Sequence, residues 1–177
     1  MASQLTEDFF ALFGLKPAFK LDAVALEAAY RDVQSRIHPD RYAHLPESDR
    51  RLSMQVAARV NEAYRTLRNP LARARYLLQL AGVDAAHESN TAMSPEFLVE
   101  QMEWREAVAE AREGNDLHGL EQLHIRLRQQ ADGLYREVER DLDENKDYAQ
   151  AAEAVRRLMF IEKIQHEIDE ALAALDH

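Results

Sequence analysis

The chain is predicted to be all-α: an N-terminal antiparallel helical hairpin with flanking short helices, followed by a three-helix bundle. Apolar residues recur at spacings of three and four along most of the 177 residues, which is the repeat of one helical face. Only five glycines and five prolines interrupt it, among 31% charged and 46% apolar residues, a composition that argues for a soluble, mostly helical protein. The third observation is a proline set in a short polar stretch between two apolar stripes. Stripes joined in that way bury themselves by folding back on each other.

Phe9, Phe10, Leu12 and Phe13 form an apolar opening turn or two, closed by Gly14 and Pro17. Leu26, Tyr30, Val33 and Ile37 then lie on one helical face, with Asp22 placed to cap its start. The run ends at His38-Pro39-Asp40. Proline cannot continue a helix and biases the residue before it away from helical angles. His38 and Asp40 are therefore expected at the exposed tip of a hairpin, held on a stiffened turn that suits a contact point. The loop His38 to Asp49 contains Pro46, and a second run begins near Arg50. In it Leu52, Val56, Val60, Ala63 and Leu67 repeat the stripe, and Asn69-Pro70 stops it. Leu71, Tyr76, Leu77, Leu78 and Leu80 form a fourth helix ending at Gly82.

Residues 83–93 are mostly polar and small and read as a linker. Ser94-Pro95 then signals a helix start, a capping hydroxyl followed by proline at the first helical position. That helix is expected to reach about Gly114. A second is expected from about Asp116 to Leu142, striped by Leu120, Leu123, Leu127, Ala131, Leu134 and Val138. A third runs from about Tyr148 to Leu175, striped by Ile161, Ile164, Ile168, Ala171 and Leu175. Three helices with short turns make an up-down-up bundle.

Several classes of function fall away. With no cysteine, disulfides and thiolate metal sites are excluded. No apolar stretch approaches the roughly 20 residues that span a bilayer. The N-terminus lacks a signal or transit pattern, so the cytoplasm is the expected compartment. Residues 1–82 carry 12 basic against 9 acidic side chains, and residues 83–177 carry 10 against 23, which together give the net charge of −10. The acidic half would repel phosphate, so no nucleic acid is expected as a partner. Glu121-Gln-Leu-His124 resembles half of a di-iron helix motif. It has no second copy, and His118 stands about 240° from His124 around the helix. Neither an enzyme active site nor a metal site is expected, and no cofactor.

The helix from Ser94 carries more apolar surface than one bundle face needs. Phe97, Trp104, Ala107, Val108 and Ala111 make the core stripe, while Leu98, Met102 and Ala109 point about 100–140° away and Val99 about 200°. This second arc is a wide buried face, an inter-domain contact with the first half, or a partner surface edged by Glu103, Arg105 and Glu106. Phe160 repeats the question, about 100° off the isoleucine stripe of the last helix.

The first half resembles a J domain, the module by which co-chaperones stimulate ATP-driven chaperones of the 70-kDa heat-shock class. The resemblance rests on Tyr30-x-x-Val33, His38-Pro39-Asp40-Arg41 and Asn61-Glu-Ala-Tyr64-x-x-Leu67. Arg41 stands where J domains more often carry lysine, which keeps the charge. The second half, through Phe97-Leu-Val-Glu-Gln-Met-Glu-Trp-Arg105 and Arg156-Arg-Leu-Met-Phe-Ile-Glu-Lys163, resembles the C-terminal domain of HscB-type co-chaperones. The resemblance implies a J domain at 1–82, a linker at 83–93 and a scaffold-binding bundle at 94–177. It implies two partners, an HscA-like chaperone of the 70-kDa class and an IscU-like iron–sulfur cluster scaffold protein. Asp40 would offer its carboxylate to an arginine of the chaperone, His38 and Pro39 would hold the turn, and Arg31, Arg36 and Arg41 would steer it by charge. Leu98, Val99, Met102, Glu103, Glu106 and Phe160 match positions that bind the scaffold. Two alternatives stand beside this. Asp40 could simply cap backbone, and the chain could be a general J-domain co-chaperone or an adaptor for other clients.

Overall fold

The computed structural model describes residues 5–44, 46–85 and 94–175, with the backbone alone at Pro39. Among these residues every regular element is helical, as the periodicity predicts. No helix among them is long and apolar enough to cross a membrane. The tertiary contacts divide the chain into two compact units, Met1–Leu77 and Leu78–His177.

The first unit begins with α1 (Phe9–Leu12), capped by the Asp8 carboxylate, which accepts from the Ala11 amide. Helix α2 (Ala23–Ile37) starts at Asp22, whose side chain accepts from the amides of Val24 and Ala25 at 2.9 and 3.2 Å. Those amides have no intrahelical partner, so the cap replaces water at both. A single 3-10 turn (Pro39–Tyr42) follows, and then α3 (Glu47–Arg68). Helix α3 starts three residues earlier than the apolar spacing suggests. Pro46 fixes the entry, and Glu47 and Asp49 place negative charge in the first turn, where the helix dipole favours it. Leu26, Val33 and Ile37 of α2 face Val56, Val60, Ala63 and Leu67 of α3, and Phe9, Phe10, Leu12 and Phe13 close the core. The Tyr30 and Tyr64 rings stack 4.0 Å apart between the two long helices. The Tyr30 hydroxyl donates to Asn61 Oδ1 at 2.8 Å. Helix α4 (Pro70–Leu80) begins in the first unit and ends in the second at Gly82, whose φ of 80° is the left-handed value that glycine adopts at helix ends.

In the second unit α5 (Pro95–Glu113) starts at Ser94, whose hydroxyl accepts from the Phe97 amide at 3.2 Å, with Pro95 at the first helical position. Helix α6 (Leu117–Glu139) runs into a π-helical turn (Arg140–Glu144), and α7 (Tyr148–Leu175) returns. The stripes expected on α6 and α7 form the core except at Ala131 and Leu175, which are only half-buried. Helix α7 buries more than its stripe: Ala151, Ala152, Ala154, Val155, Leu158 and Phe160 are buried as well. It packs against both α5 and α6, and a helix with two neighbours needs a wider apolar arc than one with a single neighbour. Residues 86–93 of the expected linker lie outside the described residues.

Candidate functional site

The turn after α2 follows from its sequence. His38 has φ −56° and ψ 129°, the extended backbone required before proline, so α2 stops there and Pro39 opens the 3-10 turn. The imidazole folds back to cap that turn: the Asp40 amide donates to His38 Nδ1 at 3.3 Å. A ring nitrogen that accepts carries no proton, so in this geometry the neutral ring's N–H is at Nε2. Among the described residues the Asp40 carboxylate caps no backbone amide. Its side chain is 91% exposed, and the accepting His38 Nδ1, 3.5 Å away, has no proton to give it. Asp40 is thus held by its backbone while its charge faces water.

A second tie, not foreseen from the spacing, braces the same turn. The Tyr42 hydroxyl donates to the Arg36 carbonyl at 3.0 Å, one of the acceptors left without an amide at the end of α2. Arg31 and Arg36 stand on the exposed surface of α2, and each is paired one turn back, Arg31 with Glu27 at 2.5 Å and Arg36 with Asp32. These pairs offset much of the charge the arginines would present for steering. Arg41 is exposed in the turn itself.

On α5 the second apolar arc faces outward. Leu98, Val99 and Met102 are 42%, 54% and 71% exposed, far more than buried bundle positions, and Glu103 and Glu106 flank them in water. Phe160 does not join them as an exposed residue. It is buried, with its ring edge-on to Phe97 at 5.9 Å, and Arg105 covers it at 5.8 Å from the ring centre. The helical-wheel estimate fails because α7 has two neighbours, and Phe160 fills the side facing α5.

Glu121 and His124 do not form a joint site. His124 Nδ1 lies 3.2 Å from Asp169 Oδ1 on α7, and Glu121 stands 4.0 Å from His118. Among the described residues no three histidine or acidic side chains converge as a metal would require.

Residues 93–169 match the family model described as the HSCB C-terminal oligomerisation domain. A protein named co-chaperone protein HscB homolog, from Aromatoleum aromaticum, is 62% identical over 176 residues, 99% of each chain. Among solved structures, the chaperone HscB from Vibrio cholerae superposes with a TM-score of 0.83 at 33% identity, covering 96% of this chain and 99% of that one. The human co-chaperone protein HscB gives 0.86 at 27% identity, covering 93% of this chain and 82% of that one.

Proposed function

The chain belongs to the HscB family of co-chaperones, and we propose on that footing how its two units divide the work. The protein is a co-chaperone of iron–sulfur cluster assembly that stimulates the ATPase of an HscA-like 70-kDa chaperone and brings it an IscU-like scaffold protein. It acts in the cytoplasm and catalyses no reaction of its own. Residues 1–82 serve the chaperone and 94–177 the scaffold, with 83–93 as the connection. The observation that carries the reading is the Asp40 carboxylate, fixed through its backbone by His38 and left open to solvent.

An arginine of the chaperone ATPase can pair with that carboxylate in two-point fashion. Little ordering is required of the turn, because the Asp40 amide and the Tyr42 hydroxyl are already bonded. Arg41 adds attraction towards an acidic surface, and Arg31 and Arg36 contribute by exchanging their intrahelical partners. On α5, Leu98, Val99 and Met102 supply apolar contact, and Glu103 and Glu106 supply the polar rim. Burying three such side chains yields on the order of 5–9 kcal/mol gross. Association costs of roughly 4–15 kcal/mol offset most of it. The complex is therefore weak and reversible, which suits delivery.

The test is the steady-state ATPase of the purified chaperone. Stimulation by this protein, rising further when the scaffold is added, is the expected result. An ATPase that does not respond with or without scaffold contradicts the reading.

A further inference from the structure

Helix α5 carries the outward patch, yet it is thinly anchored. Of its 19 residues only Phe97, Val108 and Ala111 are buried, and none of these lies between positions 98 and 107. In that gap the half-buried Trp104, with Arg126 of α6 5.0 Å over its ring, is joined by a polar tie. Glu100 receives Arg157 of α7 at 3.1 Å and also Gln130 of α6. One carboxylate is thus bonded to both other helices of the bundle. The Arg157 guanidinium lies 5.9 Å over the Phe97 ring, and its Nε is shielded with no hydrogen-bond partner among the described residues. The side chains of Arg157 and Glu100 are 32% and 26% exposed, less than the surface pairs of α2. Glu100 stands about 200° around the helix from both Leu98 and Met102, so it cannot share their outward face.

We propose that Glu100 is a positioning residue: through Arg157 and Gln130 it sets the rotation of the N-terminal half of α5 and so the presentation of Leu98, Val99 and Met102. The effect on scaffold binding rests on the function proposed above, whereas the effect on α5 does not. Partly desolvated charges with hydrogen bonds to two helices hold one rotation about the helix axis more narrowly than apolar contact alone.

The experiment uses the full chain and two readouts. Without any partner, Glu100→Gln should speed amide hydrogen exchange at residues 98–102 by about tenfold and leave the α6 and α7 amides unchanged, as expected of a local opening. With the scaffold protein, Glu100→Gln should weaken affinity about five- to tenfold, a coupling of the usual size for side chains in one network. In a Leu98→Ala background the same change should cost less than about twofold, because the patch that it orients is already impaired. The charge inversion Glu100→Arg with Arg157→Glu should restore protection and affinity, since the Gln130 amide can turn to accept. Unchanged exchange at residues 98–102 overturns the proposal, whatever the scaffold does. Equal losses in the Leu98 and Leu98→Ala backgrounds also overturn it, because Glu100 would then act independently of the patch. A wild-type chain that binds no scaffold refutes the proposed function instead, and the exchange measurement still decides the role of Glu100.

Discussion

The Asp40 amide donates to His38 Nδ1 at 3.3 Å, so the imidazole holds the backbone of the residue whose carboxylate it leaves exposed. One ring thereby fixes the position of a charge without neutralising it. His38→Gln can offer an amide oxygen to the Asp40 N–H, but from a longer and freer side chain. Stimulation of the chaperone's ATPase by His38→Gln should fall at least about tenfold, equivalent to about 1.4 kcal/mol, with circular dichroism unchanged. Stimulation equal to wild type would show that the ring does not act on Asp40.

Tyr42 tests the other support of the turn. Tyr42→Phe removes the hydroxyl that donates to the Arg36 carbonyl and retains the ring. The expected loss of stability is about 0.5–1.5 kcal/mol, the net worth of one such hydrogen bond. The chaperone concentration giving half-maximal stimulation should rise several-fold, with maximal stimulation retained, because the turn is loosened and its chemistry is kept.

The patch on α5 predicts a separable defect. Leu98→Ala with Met102→Ala removes apolar area that the described residues of the second unit leave exposed. Thermal stability should change by less than about 0.5 kcal/mol, as for other exposed positions. Scaffold affinity measured by calorimetry should fall beyond detection, while scaffold-free ATPase stimulation stays at the wild-type level.

Phe160→Ala should behave differently. The ring is buried edge-on to Phe97, so truncation should destabilise the fold by about 3–5 kcal/mol. Chemical denaturation would show it directly. A variant with wild-type stability but no scaffold binding would return Phe160 to the exposed contact surface.

Alkaline pH probes the packing of α1. The Tyr76 hydroxyl accepts from the Phe9 amide at 2.9 Å and its ring stacks on Phe9 at 4.4 Å. Burial pushes its phenol above the ordinary 10.0, aided by the Asp8 carboxylate and opposed by the Phe9 amide and Arg59. An unfolded chain loses this proton near 10.0 and the folded chain only at higher pH. Folded protein therefore binds more protons between the two values, and stability falls as pH rises through that window. The contribution is fully present below 10.0. Urea unfolding at about pH 9 and about pH 11 should show a smaller loss in Tyr76→Phe than in the wild type.

The helices were legible because period and caps agree in the sequence: Asp22 and Ser94 cap where their apolar stripes begin, and His38-Pro39 stops α2. The wheel separated Leu98 and Met102 from the core stripe and left open whether a neighbour covers them, while the exposure of Asp40 followed from its place on a turn. Phe160 did not, because a wheel drawn for one helix cannot register how many neighbours that helix has. The Glu100–Arg157 tie joins helices 57 residues apart in sequence, beyond the reach of any local spacing. The pairs that quiet Arg31 and Arg36 were available, since Glu27 and Asp32 each precede their arginine by four residues, the usual helical ion-pair register.

The most direct test of the account is Asp40→Asn, which keeps the shape of the side chain and the backbone amide that His38 accepts from, and removes only the outward charge. Single-turnover ATP hydrolysis by the 70-kDa chaperone, with this variant and with the wild-type protein at equal scaffold occupancy, should show stimulation abolished by the substitution and scaffold affinity unchanged. Full stimulation by Asp40→Asn would contradict it.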